Sequence, residues 1–314
     1  MTKTSSKTCA ILMNMGGPNT TADIRQYLKN IFSDRDIIRL PGDQLLQKIL
    51  ASIIIFFRTG KVQKHYKLIG GGSPLLKWSQ IQAKQVEEIL VKERPEFKCY
   101  VGMRYFHPFV TDVIKTAHNE GFRKIIFIPF YPQFSTATTG STIKFAKKEI
   151  DKYNDIESVF INNYHDREKY IKLLKKYIFS HINDDEILLF SAHSIPQEFV
   201  DNGDPYVEQI RRTAQLAAGD RKYYVSFQSR TGPVKWVGPD TVSETSRLLN
   251  NPETKLFIVP ISFVSDHIET LYEIDIELKG LVGENMATRI RRMRMFNDDV
   301  DYSALLADLI REQF

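Results

Sequence analysis

Ten residues able to move protons or to bind metals and aromatic ligands fall at or just past the ends of short apolar runs. They are Met15, Arg104, Tyr105, His107, Gln133, His193, Gln228, Asp266, His267 and Glu269. Polar and titratable groups gathered at strand ends are the material from which α/β sites are built. His193 closes the run Ile187–Phe190 through the small residues Ser191 and Ala192. Its imidazole, with an ordinary pKa of about 6.5, takes or gives a proton near neutrality. Taken alone it reads equally as a histidine satisfied at a strand end. The second candidate is Ser265-Asp266-His267-Ile268-Glu269, opening a helix on which Glu269, Glu273 and Glu277 fall four apart along one face. Asp266 followed by Glu269 also has the spacing of a capping box, but a cap has no use for Glu273 or Glu277. A carboxylate row leading toward a histidine carries protons, or holds a hard divalent cation.

The elements that must position these residues alternate along the chain. Strands are expected at Cys9–Met15, Tyr100–Arg104, Lys124–Tyr131, Ser158–Ile161, Glu186 onward, Tyr223–Phe227, Leu256–Phe263 and Arg289–Met295, with helical patterns between them. One helix is expected from Thr21 to Phe32, capped by Asn19 or Thr20. Strand and helix in alternation predict right-handed crossovers and parallel sheets covered on both faces. Ile125–Phe130 is echoed by Leu256–Ile261, each an apolar run with proline near its end. Two similar doubly wound halves joined around residues 160–185 account for the echo, giving domains 1–165 and 166–314.

Composition excludes several classes. Hydrophobic residues make up 42% and charged residues 26% of 314, as in an ordinary globular chain. Two cysteines, Cys9 and Cys99, build neither a disulfide framework nor a four-thiolate metal site. Met1–Thr8 lacks the layout of a secretory signal and reads as a short solvated tail. A net charge of +5 is modest, and the cluster Arg289, Arg291, Arg292 and Arg294 reads as a solvated strand edge without base-stacking aromatics. Gly70-Gly71-Gly72-Ser73-Pro74 lacks dinucleotide spacing. His107 reads as a loop-fixing residue, and His65, His118, His165 and His181 as surface residues.

Residues 44–57 break the soluble pattern. Leu45, Leu46, Ile49, Leu50, Ile53, Ile54 and Phe57 share a helical face that Ile55 and Phe56 widen. The run is too short to span a bilayer, and Arg58, Lys61, Lys64 and Lys67 follow it. A buried helix, a lip over a pocket and an element resting in a membrane surface are all open readings.

Over nearly its whole length the chain resembles the ferrochelatases. The resemblance is carried by the segments at 12–18 (LMNMGGP), 32–41 (FSDRDIIRLP), 69–74 (IGGGSP), 102–108 (GMRYFHP), 131–141 (YPQFSTATTGS), 191–196 (SAHSIP), 227–233 (FQSRTGP) and 265–273 (SDHIETLYE). It implies two Rossmann-like domains, each a parallel sheet flanked by helices, with a porphyrin cleft between them. It implies a lyase of haem biosynthesis that inserts ferrous iron into protoporphyrin IX. By position, His193 is similar to the family's essential histidine and Glu269 to its active-site carboxylate, with Glu273 behind it. Met15, Arg104, Tyr105, Gln228 and Trp236 are similar to pocket residues, and Ile53, Ile54, Phe56 and Phe57 to the apolar lip that reaches the membrane. His193 and Glu269 are the expected contacts for the incoming metal. Thr136 stands where cluster-bearing members have a cysteine, and no late cysteine follows, so no iron-sulfur cluster and no resident cofactor are expected. A cytoplasmic monomer, peripheral on the inner face of the membrane and without a nucleic-acid partner, is expected. A porphyrin carrier and a chelatase for another tetrapyrrole are the alternatives.

Overall fold

The computed structural model describes residues 7–35 and 43–314. Most of the expected solvated tail, and part of the 32–41 motif, lie outside the described residues. Among the described residues, eight strands form two four-stranded parallel sheets. The first holds β1 (Thr8–Asn14), β2 (Lys98–Met103), β3 (Lys124–Pro129) and β4 (Glu157–Phe160) in the order β2-β1-β3-β4. The second holds β5 (Glu186–His193), β6 (Tyr223–Gln228), β7 (Lys255–Pro260) and β8 (Ile290–Arg292) in the order β6-β5-β7-β8. All eight expected strands are present, with helices between them.

The interior strands are β1 and β3 in one sheet and β5 and β7 in the other, and each is largely buried on both faces, which is why their sequences are nearly continuous apolar runs. In the first unit Ile11, Met13, Ile114, Ile125 and Phe127 pack together. In the second, Leu189, Leu256, Ile258, Ile274 and Ile290 do so. The 3-10 turn Thr21–Asp23 and the helix Ile24–Phe32 follow β1, opened by a Thr20/Asp23 capping box. The triple glycine is a structural turn. A Cβ on Gly72 would sit 2.0 Å from the Asn19 carbonyl oxygen, so only glycine fits where this turn meets the one after β1.

The two compact units are residues 1–130, 136–162 and 297–314, and residues 131–135 and 163–296. The expected division at 165 therefore needs correcting at the far end, because the last helix, Val300–Arg311, groups with the first unit. Its contacts give the reason. Gln82 Nε2 donates to the Asn297 carbonyl (2.7 Å), Ser303 Oγ to Gln85 Oε1 (2.7 Å), and Arg311 pairs with Glu93 (2.7 Å).

The two units repeat one backbone plan. Phe130 N–H donates to the Met13 carbonyl as Ile261 N–H does to Ser191, both at 2.9 Å. Met103 N–H donates to the Pro108 carbonyl as Phe227 N–H does to Pro239. Phe127 pairs with Phe160 as Ile258 pairs with Arg292. By this register Met15 is the counterpart of His193, Arg104 of Gln228, and Phe160 of Arg292. In each unit a π-helix follows the proline-ended strand: Thr136–Gly140 after β3, and Glu269–Leu278 after β7.

The helix Gln44–Leu68 is longer than the apolar run, because the basic segment continues it. Asp43 caps it by accepting from Leu46 N–H at 2.9 Å. Its buried face is Gln47, Ala51, Ile55 and Tyr66, not the stripe expected to face a core. Leu45, Ile49, Ile53, Phe56 and Phe57 are exposed, the two phenylalanines by 73% and 75%. Glutamine and alanine on the inner face leave the larger apolar residues outward. No helix among the described residues is long and apolar enough to cross a membrane.

Candidate active site

Strand β5 runs through Ser191 and Ala192 to His193, so the imidazole stands at the carboxyl end of an interior strand of its sheet. His193 N–H donates to Ser262 Oγ (3.0 Å), and its ring Nδ1 lies 2.5 Å from the Ser194 carbonyl oxygen. A carbonyl only accepts, so Nδ1 carries the proton and Nε2 keeps its lone pair in the neutral ring. Desolvation by the surrounding protein holds the His193 pKa below its ordinary value, against the pull of the Glu273 carboxylate and the Ser194 carbonyl. The ring is therefore neutral near pH 7, while 38% of the side chain remains exposed. Its Nε2 lies 3.7 Å from Glu269 Oε2.

Glu269 and Glu273 project from the second π-helix. Its i→i+5 bonding opens the turn relative to an α-helix, a geometry frequent at functional sites. Asp266 Oδ1 accepts from the Thr270 hydroxyl (2.9 Å), and Glu269 faces His193. Burial pushes the Glu269 carboxyl up to about 7, with the Ser229 hydroxyl opposing it. Burial raises Glu273 in the same way, and the neighbouring charge of Glu269 adds to the effect. Two carboxyls that disfavour joint ionisation titrate as a pair. His267, 3.9 Å from Glu269, is pushed down to about 4 by burial and stays neutral.

A chain of buried hydroxyls orients this pair. Ser191 Oγ donates to Gln228 Oε1 (2.7 Å), so the hydroxyl of Thr241 supplies the 2.9 Å bond to Ser191 and that of Ser226 the 3.0 Å bond to Thr241. With Oε1 satisfied, Gln228 Nε2 faces the π-helix and donates to Glu273 Oε2 (3.1 Å) and the Glu269 carbonyl (3.0 Å). Ser229, at φ +68° in the left-handed region, turns its hydroxyl onto Glu273 Oε2 by a very short bond and lies 3.5 Å from Glu269 Oε2. Trp236 is held beside the segment that follows His193. It bridges Pro196, and its Nε1 donates to the Thr231 carbonyl (3.0 Å).

His193, Gln228, Glu269, Glu273 and Trp236 thus all lie in the second unit. Met15, Arg104 and Tyr105 lie in the first. Tyr105 N–H donates to the Met15 carbonyl (2.8 Å). Arg104 pairs with Asp34 (2.7 Å) and stacks over Phe145, and the Tyr105 hydroxyl donates to the same aspartate (2.6 Å). His107 packs its ring edge against Phe106 and Phe109. Gln133 is buried, with Nε2 within hydrogen-bond distance of the Thr213 hydroxyl and the Ile261 carbonyl. Three groups escaped the reading from sequence: Ser229, Ser262 and Arg292. The first two have no spacing that announces them. Arg292 was placed on a solvated edge, yet its side chain is only 11% exposed and sits between Asp266 and Asp275. Its neighbours are also committed, Arg291 to Glu186 (3.0 Å) and Arg289 to carbonyls at 249–254.

Two four-stranded parallel sheets flanked by helices are a fold this chain shares with solved chelatase structures. Solved structures of the same fold include SirB from Bacillus subtilis with Fe3+ (TM-score 0.54, 14% identity, 75% of this chain and 89% of that one). Another is CbiX, the terminal enzyme of siroheme biosynthesis in denitrifying bacteria (TM-score 0.52, 10% identity, 98% and 99%). The chain belongs to the ferrochelatase family, which it matches over residues 7–314. It is 37% identical to the ferrochelatase of Geotalea daltonii over 98% of each chain, and 39% identical to that of Geotalea uraniireducens over the same share. It is 37% identical to that of a Picosynechococcus species over 96% of this chain and 81% of that one.

Proposed function

We propose that this chain inserts ferrous iron into protoporphyrin IX to give protohaem, with His193 as the acceptor of the pyrrole protons. The observation that carries the reading is a neutral imidazole with a free Nε2 beside a carboxyl whose pKa lies near 7. Metallation replaces two pyrrole N–H protons by one Fe2+, so the protons need a base matched to neutral pH and a way out. His193 Nε2 takes a proton while Nδ1–H stays on the Ser194 carbonyl. Glu269, and Glu273 behind it through Ser229, then receive it. In this scheme contacts of His193 and Glu269 with iron are those of a substrate in transit. Met15, Arg104, Tyr105, Gln228 and Trp236 are proposed porphyrin-pocket residues, Gln228 by fixing Glu273. A protein that favours a puckered ring over a flat one lowers the barrier by differential binding.

The outward apolar face of the helix Gln44–Leu68, followed by Arg58, Lys61, Lys64 and Lys67, supports peripheral binding to an anionic membrane surface and a preference for protoporphyrin over the more carboxylated coproporphyrin. The proposed site of action is the inner face of the membrane, reached from the cytoplasm, as a monomer. No iron-sulfur cluster is proposed: burial pushes both cysteine thiols up, away from the thiolate form that ligates metals.

The test is anaerobic insertion of ferrous iron into protoporphyrin and coproporphyrin in parallel, followed by absorbance, for the native chain, His193→Ala and Glu269→Gln. Fast metallation of protoporphyrin, lost in His193→Ala and strongly slowed in Glu269→Gln while both still bind porphyrin, is expected. Binding of either ring by the native chain without metallation would leave a carrier.

A further inference from the structure

The carboxyls that face His193 stand on ten residues of π-helix, a winding that is rare beyond a single turn. Something other than local preference must hold it open. Arg292, the last residue of β8, meets this segment through Asp275 and the stretch before it through Asp266. Its Nε and Nη2 donate to the two carboxylate oxygens of Asp275, at 2.9 and 2.8 Å, in a planar fork. Its Nη1 lies 3.1 Å from Asp266 Oδ1 and also donates to the Met293 carbonyl at 3.1 Å. Asp266 in turn accepts from the Thr270 hydroxyl, which receives the His267 N–H (3.0 Å). One guanidinium therefore ties the chain before the π-helix to its middle, and Glu269 and Glu273 lie between the two tied points.

The internal repeat supplies a control. In the first unit Phe160 holds the register position of Arg292, stacked on Phe127 with ring centroids 4.6 Å apart. There the π-helix is five residues long and carries no acidic residue, and it passes directly into the α-helix Ser141–Ile150. The long π-helix, the paired carboxyls and the arginine occur together in the second unit.

We infer that Arg292 is a positioning residue: its clamp on Asp266 and Asp275 keeps residues 269–278 in the π-wound form and so holds Glu269 and Glu273 against His193, Gln228 and Ser229. It touches no reacting atom. The inference rests on the proton-transfer reading above, so its test has one arm that does not depend on activity. Asp275→Asn keeps the shape but loses the charge-assisted fork. Arg292→Lys keeps the charge but loses the planar geometry. Amide hydrogen exchange of residues 269–278 should speed up in both variants, with β5–β7 unchanged. In the metallation assay kcat should fall about tenfold or more with the porphyrin KM held, as displacement of a catalytic group does. In a Glu273→Gln background Asp275→Asn should add little, since the two changes act through the same carboxyl. Unchanged exchange in the π-helix overturns the clamp, and so does faster exchange with native kcat or with effects that add fully to Glu273→Gln. A native chain that binds porphyrin but never metallates it fails the reading beneath instead, and the exchange arm still decides whether Arg292 holds the winding.

Discussion

At the scale of residues, the carboxyl proposed to carry protons also weighs on stability. Glu269 has a folded pKa of about 7 against an ordinary 4.5. The folded state therefore binds more protons than the unfolded one between those values, and stability falls as pH rises through that window. A glutamine keeps the shape of the protonated acid and does not ionise. Glu269→Gln should be roughly 1 to 3 kcal/mol more stable than the native chain at pH 8, the gap closing by pH 5, while metallation is strongly slowed. Thermal unfolding of both proteins at a series of pH values measures this directly. A gap independent of pH would show that the carboxyl titrates normally. That His193, Glu269 and Glu273 come together was legible in advance, because sequence displays their types: His193 after a small-residue strand end, and Glu269 and Glu273 at a regular spacing. What holds them was not legible. Ser229 and Ser262 are serines like any others, and the direction in which Gln228 points depends on hydroxyls from β5, β6 and the helix Thr241–Leu249.

At the scale of elements, the helix Gln44–Leu68 shows why amphipathic patterning can be read in two senses. The apolar stripe was visible, and its period was helical, but a stripe does not say what covers it. The structure buries the narrower side, where Gln47 Nε2 donates to the Phe32 carbonyl (3.2 Å), and leaves the broader apolar side open. If that side enters a lipid surface, Phe56 and Phe57, its most exposed side chains, each contribute roughly 1.5 to 3 kcal/mol on leaving water. Phe56→Ser combined with Phe57→Ser should weaken co-sedimentation with vesicles of anionic phospholipid by at least about tenfold. Because both rings are already exposed, the midpoint of unfolding should hardly move. Undiminished vesicle binding would send the search for the membrane contact elsewhere on the surface. The π-helix Glu269–Leu278 was misread for a different reason: a four-residue spacing of acids suits an α-helix and a π-helix alike, and only the partners of Asp266 and Asp275 distinguish them.

At the scale of the molecule, one strand order appears twice, and the two copies have diverged at the strand ends rather than in the strands. The proline-ended strands Lys124–Pro129 and Lys255–Pro260 still echo each other in sequence. At the ends Met15 answers to His193, Arg104 to Gln228 and Phe160 to Arg292, pairs of unlike residue type. The chain also leaves its order: residues 131–135 group with the second unit ahead of the rest of it, and at Asn297 the chain returns to the first unit. The helix Val300–Arg311 places Tyr302, Leu305, Leu306, Leu309 and Ile310 out of water, against the helix Leu75–Leu90 among others. Four buried aliphatic side chains at about 1.5 to 3 kcal/mol each approach the whole stability of a typical domain, about 5 to 15 kcal/mol. A chain lacking residues 298–314 should therefore lose amide protection throughout β1–β4, while β5 and β7 keep theirs. The position of the loss is the informative part. If protection fell in β5 and β7 and survived in β1, the last helix would belong to the second unit after all, and the division at residue 165 read from the sequence would stand.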